Sequence, residues 1–199
     1  RLPAIPKDKN GKHIALVGAG PASLTVARDL MPLGYSITLI DRDAKAGGMV
    51  RSQIPSFRLP ESVLDEEVDL ILNMGVNTRF GTEISSLKTL LDESFDAVFI
   101  GTGAPVGRDL DIPGRKEAGK AVEIGINWLA GVAFEHIKKA AKKVIVLGGG
   151  NTAMYCCRTA LRMGAKDVQV VVRSSFEDMK ASPWEKDDAQ AEGIQFVNH

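Results

Sequence analysis

The chain has 199 residues, 44% of them hydrophobic and 25% charged, a composition that suits a globular protein able to bury a core. Its 25 basic and 25 acidic residues cancel, so there is no basic field to draw nucleic acid or an anionic membrane surface. No apolar run approaches the ~20 residues of a membrane span, and residues 1–12 carry prolines and charges where a signal peptide has its apolar centre, so a cytoplasmic protein is expected.

Residues 1–12 read as a leader or linker, and Arg1, standing where an initiator Met would be, suggests a piece of a longer chain. His13 to Val17 is continuously apolar after its first residue, as a buried parallel strand should be. Pro21 to Leu33 follows as a helix whose Leu24, Ala27, Leu30 and Met31 share one face, and Gly34 ends it. Ser36 to Ile40 is a second strand, with Asp41 at its carboxyl end. A strand, a helix and a parallel strand make a crossover unit. Arg42 to Pro60, with Gly47-Gly48 and two prolines, shows no periodicity and reads as a long functional loop.

Glu61 to Met74 returns to helical spacing, with Leu64, Val68, Ile71 and Leu72 on one stripe and acidic residues towards its start. Val76 to Phe80 reads as a short strand, Ser85 to Leu91 as a short helix, and Phe95 to Ile100 as an apolar strand running into Gly101-Thr102-Gly103. Ala104 to Gly114 is loop, and Ala121 to Ala141 has helical composition. Lys143 to Leu147 is a strand, Asn151 to Met163 a helix, Val168 to Val172 a strand, and Pro183 to Glu192 a helix before Ile194 to Val197. The expected fold is α/β, with two Rossmann-like, doubly wound dinucleotide-binding lobes over residues 13–115 and 143–199. Residues 116–142 connect them, and both lobes are expected to be incomplete within this chain.

The strongest signal is a repeat. IALVGAGPASL, from Ile14 to Leu24, is an apolar strand, a glycine turn and a helix start, and VIVLGGGNTAM, from Val144 to Met154, does the same again. In the first copy Gly18 permits the tight turn, Gly20 leaves no Cβ between backbone and pyrophosphate, and Pro21 opens the helix without losing a needed N–H. Ser23 stands at the third position, usually Gly or Ala, and is expected to set helix and strand slightly further apart. Asp41, 23 residues after Gly18, is placed to accept hydrogen bonds from ribose hydroxyls.

In the second copy Gly148, Gly150 and Ala153 repeat the spacing, with Asn151 and Thr152 opening the helix. Its partner strand ends not in an acid but in Arg173, Ser174 and Ser175. An arginine fork with neighbouring hydroxyls matches a 2′-phosphate and points to NADP rather than NAD. The alternative is a solvated strand-end arginine. Lys180 is a secondary candidate for the same phosphate. Cys156 and Cys157 are adjacent, which gives neither a metal-site spacing nor an unstrained redox pair. Cys157 is expected in the core. His13, His136 and His199 are scattered, with surface or packing roles.

Several stretches together resemble one family: GAGPAS, Ile40-Asp41, Gly47-Gly48-Met49, IPSFRLP over Ile54 to Pro60, Ile100 to Gly103, and GGGNTAM followed by Arg173. The chain resembles the glutamate synthase small subunit and the flavin and NADPH portion of dihydropyrimidine dehydrogenase, among the pyridine-nucleotide-disulfide-oxidoreductase-like flavoproteins. IPSFRLP is the most specific piece. The resemblance implies a reductase with FAD on the first lobe and NADPH on the second, and electrons leaving through iron–sulfur centres of a partner domain or subunit. It carries FAD contacts onto Gly18, Gly20, Pro21, Ala22, Ser23, Asp41, Gly48, Met49, Arg58, Ile84 by its backbone, Thr102 and Gly103. Two positions depart from the family pattern: Tyr155 replaces an acid, and Ser174 a second cation.

In that reading the flavin carries the chemistry, and no side chain need act as nucleophile or acid. The alternatives are a nucleotide-binding or assembly fragment without turnover, and a simple NAD(P) dehydrogenase. The latter is disfavoured because no catalytic Lys, Tyr or His constellation accompanies the folds.

Overall fold

A computed structural model describes residues 4–198. Residues 1–3 of the expected leader, and His199, lie outside the described residues. The fold has two units, one built from residues up to Arg51 together with Ser56–Pro105, the other from Ser52–Pro55 and from Val106 onward.

In the first unit a parallel sheet has the order β3-β2-β1-β4, formed by β1 (His13–Val17), β2 (Ser36–Ile40), β3 (Asn77–Arg79) and β4 (Ala97–Ile100). The register sets Val17 opposite both Ile40 and Ile100. The residues that follow, Gly18, Asp41 and Gly101, therefore leave the sheet side by side. Helix α1 (Pro21–Leu30) continues as a 3-10 turn (Met31–Leu33) before Gly34, whose φ of 87° closes it. Leu24, Ala27 and Met31 of this helix pack on Leu16, Ile37 and Leu39, with Val68 of α3 (Glu61–Leu72) completing the cluster. Each fully buried Leu or Ile here contributes about 1.5–3 kcal/mol. The opposite sheet face is covered by Leu90 of the short α4 (Leu87–Leu91), packed on Ala15, Val17 and Ile40.

The loop expected over Arg42 to Pro60 contains a helix, α2 (Gly48–Gln53). Its six residues are too few to show a periodicity, and it is held by long-range contacts described below.

In the second unit β5 (Lys143–Leu147), β6 (Asp167–Val171) and β7 (Gln195–Val197) form a parallel sheet in that order. Helix α7 (Asn151–Arg162) follows β5, and its Ala153, Met154, Cys157 and Ala160 join Val168, Val170 and Ala189 in one core. Helix α8 (Pro183–Ala191) is tied to α7 by ion pairs: buried Arg158 reaches Glu185 at 2.8 Å, Asp188 at 3.1 Å and Glu192 at 2.9 Å.

The helical stretch expected over Ala121 to Ala141 is shorter. Besides the single turn α5 (Arg115–Ala118), the helix α6 covers only Gly125–Ala133. The chain then turns at Glu135, with φ at 60°, and folds back so that the Ile137 N–H donates to Gly131 O at 2.9 Å. A Cβ at Gly131 would lie 2.7 Å from Ile137, so this return path depends on the glycine.

Candidate functional site

In the first unit the carboxyl ends of β1, β2 and β4 converge on the Gly18 turn. Gly18 has φ 93°, and a Cβ there would sit 2.5 Å from Gly101 O. Its N–H donates to Ile40 O at 2.8 Å, while the Gly101 N–H donates to Val17 O at 2.8 Å. Gly20 is the N-cap of α1 in extended conformation, Pro21 fills the first position, and no side chain caps the helix. The first N–H groups of α1, at Ala22 and Ser23, lie at this end, where a helix attracts anions.

A second glycine pair closes on the turn from the other side. The Gly47 N–H donates to Ala19 O at 2.9 Å, and Gly48, with φ 52°, lies so near that a Cβ would be 2.7 Å from Gly20 Cα. Asp41 holds the turn by its side chain: Oδ2 accepts from the Ala19 N–H at 2.5 Å and Oδ1 from the Asp43 N–H at 2.9 Å. Each carboxylate oxygen has two acceptor positions, so one on each remains beyond these bonds. Ser23 is fully buried, and its hydroxyl has no hydrogen-bond partner among the described residues. The space for this Ser at the third position comes from Gly101, where a Cβ would meet Ser23 Oγ at 2.2 Å.

The structure thus brings Gly18, Gly20, Ser23, Asp41, Gly48 and Gly101-Thr102 together. Met49 follows at the exposed start of α2, Arg58 is exposed between α2 and α3, and Gly103 is exposed with φ 67°. The Ile84 side chain packs beside Leu90 on the sheet face away from α1.

Arg51 was not apparent from sequence as a site residue. It is buried, and its Nε donates to Ala46 O at 2.6 Å while its two terminal nitrogens reach Glu61 at 3.0 Å and Asp65 at 2.6 Å. It fastens the Gly47-Gly48 turn to α3. The available signal was a lone cation just after the glycine pair, with two acids four residues apart on the next helix.

The second unit repeats the turn with different surroundings. Gly148 has φ 134° and donates its N–H to Val171 O at 3.1 Å, and Gly150 is the extended, uncapped N-cap of α7. A Cβ at either would meet nothing within 4 Å, so both face open space. Ala153 is in the core and Thr152 is exposed. The Asn151 side chain holds the start of α8: Oδ1 accepts from the Ser182 N–H at 2.7 Å and Nδ2 donates to Ser182 Oγ at 3.2 Å. Arg173 is exposed at the end of β6, Ser174 is half-buried with its carbonyl accepting from Asn198 at 3.0 Å, and Lys180 is exposed. Cys156 and Cys157 are buried, and that burial pushes each thiol up to about 12. Neither is a thiolate at neutral pH, as a redox role would require.

Both units are parallel β–turn–α folds of the Rossmann-like class, each with its glycine turn at the carboxyl end of the sheet. The chain belongs to the pyridine nucleotide-disulphide oxidoreductase family, whose model matches residues 12–199. It is a family that binds FAD and NADPH. The chain is 38% identical over 190 residues to the NADP(+)-dependent formate dehydrogenase subunit beta of Moorella thermoacetica, covering 93% of this chain and 27% of that protein. It is 37% identical over 178 residues to the glutamate synthase [NADPH] small chain of Bacillus subtilis, covering 83% of this chain and 36% of that one. The structure of Mycobacterium tuberculosis FprA in complex with NADPH shares the fold, with a TM-score of 0.70 at 18% identity over 92% of this chain and 48% of FprA. The chain thus spans about a third or less of the length of the first relatives it matches. Among the described residues no helix is long and apolar enough to cross a membrane.

Proposed function

We propose that this chain supplies the cofactor-binding part of an FAD-dependent, NADPH-oxidising reductase, with FAD on the Gly18 turn and NADPH on the Gly148 turn. A cytoplasmic setting and an iron–sulfur-containing partner domain or subunit complete the reading. The chemistry that bound FAD would supply is hydride acceptance from a nicotinamide and release of single electrons, while this chain's residues would bind and orient the two cofactors. The observation that carries the proposal is the asymmetry between two copies of one turn. Asp41, an acceptor, stands at the end of β2, whereas Arg173, a donor, stands at the end of β6.

At the first turn, the uncapped N-terminus of α1 attracts a pyrophosphate, an effect of about 0.3–1 kcal/mol when exposed. Asp41 keeps one acceptor position per oxygen for ribose hydroxyls, and Gly48 and Thr102 bound the turn on either side. Arg58 supplies a cation on the segment between α2 and α3. At the second turn, α7 presents its N-terminus in the same way, and Arg173 with Ser174 offers donors to a 2′-phosphate, with Lys180 on the same loop. The names of the relatives, an NADP(+)-dependent dehydrogenase subunit and an NADPH glutamate synthase chain, support this orientation.

The test is fluorescence titration of the protein with FAD, then with NADP+ and NAD+. Saturable FAD binding and tighter binding of NADP+ than NAD+ are expected. Equal affinity for the two pyridine nucleotides removes the role given to Arg173.

A further inference from the structure

Beyond the candidate contacts lies a buried cation that no motif singles out. Lys186, on α8, is only 8% exposed. Its Nζ donates to Phe176 O at 2.9 Å and to Glu177 O at 3.3 Å, and lies 4.9 Å from the centre of the Phe176 ring. That ring stands edge-on to Phe196 of β7, with centroids 5.0 Å apart. The carbonyls it holds lie in the middle of residues 173–182, the loop that carries Arg173, Ser174 and Lys180.

The far end of this loop is pinned to the glycine turn. The Ala181 N–H donates to Gly149 O at 2.8 Å, the Ser182 N–H donates to Asn151, and Met179 packs where a Cβ on Gly149 would fall, 3.2 Å away. At its near end, the Val172 N–H donates to Val197 O at 3.0 Å. Between these anchors Phe176 packs against the core, the Ser175 hydroxyl donates to Asp178, Asn198 donates to Ser174 O, and Lys186 adds its two bonds at Phe176 and Glu177. Burying an ammonium is costly, and here the cost is offset by the two carbonyls and the ring face that the lysine meets.

We propose that Lys186 is a positioning residue for pyridine-nucleotide specificity: by holding the Phe176 and Glu177 carbonyls it fixes the loop so that Arg173 and Ser174 meet the 2′-phosphate. The inference rests on the assignment of NADPH to the second unit. Its distinguishing mark is a change in the preference between NADP+ and NAD+, because both share everything except that phosphate.

The experiment measures dissociation constants for NADP+ and NAD+ by calorimetry in wild type, Lys186→Met, Lys186→Arg and Arg173→Ala, with thermal melting of each. Lys186→Met is expected to lower the NADP+ preference about tenfold, the equivalent of one charge-assisted hydrogen bond, alongside a lower melting temperature from the lost bonds, while the affinity for NAD+ stays close to wild type. Lys186→Arg, which keeps donors at that place, is expected to retain most of the preference. If Lys186→Met does not fold, Lys186→Leu, which likewise removes the donors, is read in the same way. A preference lost in Arg173→Ala but unchanged in the Lys186 variants overturns the role of Lys186 alone. A preference unchanged in Arg173→Ala overturns the assignment of the second site itself.

Discussion

The carboxylate of Asp41 holds the backbone N–H of Ala19, at 2.5 Å, in the middle of the glycine turn that precedes it by a whole helix and strand. With its second oxygen on Asp43 N–H at 2.9 Å, the side chain joins the ends of β1 and β2 into one rigid edge. Asp41→Ala is expected to lower stability by about 2–3 kcal/mol, the loss of one to two hydrogen bonds to a charged acceptor. Urea denaturation measures this. A loss within experimental error would mean that the turn holds its shape without the carboxylate.

Ser23 and Gly101 make a coupled pair. Because the Ser23 hydroxyl is buried without a partner among the described residues, Ser23→Ala is expected to raise stability by about 1 kcal/mol, relieving an unsatisfied polar group. Gly101→Ala is expected to destabilise, since its Cβ would collide with that hydroxyl. The double variant should recover part of the loss, and a double-mutant cycle on melting curves reads the coupling. Strict additivity would contradict the packing described.

Arg51 secures the Gly47-Gly48 turn through Ala46 O and through Glu61 and Asp65. Arg51→Met is expected to cost about 1–3 kcal/mol and to weaken FAD binding, because Gly48 then loses its fixed approach to Gly20. Limited proteolysis should cut sooner near Gly47. Unchanged cleavage and FAD affinity would reduce Arg51 to a helix tether.

The α7–α8 ion cluster makes stability of the second unit depend on acid. Hydrogen bonding from Arg162, with further help from Arg158, holds the Glu192 carboxyl below the ordinary glutamate range. A lowered carboxylate stabilises the fold above its unfolded value of about 4.3 and loses that contribution as pH falls through the folded value. Glu192→Gln should therefore melt below wild type at pH 7, with the gap closing as the pH falls below about 4. A gap constant with pH would show that the charge does not act there.

Much of this was legible in the sequence where information was local. β1, β2 and β5 fall on their expected bounds because each is a short apolar run ended by a turn residue. The two glycine turns likewise fall where the spacing puts them. What was hidden depends on partners distant in sequence. Arg51 looks like a loop cation until Glu61 and Asp65 fold beside it, and Lys186 looks like the polar face of a helix until Phe176 packs against it. The composition of residues 121–141 suggests one long helix because nothing in it reveals that Ile137 folds back onto Gly131. The contact of Ser23 with Gly101, 78 positions on, is likewise invisible until the chain folds.

Whether two turns of one design hold two different nucleotides is decided at Gly20 and Gly150. Both are extended N-cap residues with negative φ, and a Cβ at either meets no protein atom nearer than 3.9 Å, so the fold leaves room for a β-carbon in the place a bound nucleotide would approach. Calorimetric titration of Gly20→Val and Gly150→Val with FAD and with NADP+ reads the outcome. Gly20→Val is expected to lose FAD and keep NADP+, and Gly150→Val to do the reverse. Loss of both ligands, or of neither, in two variants that melt like wild type would contradict it.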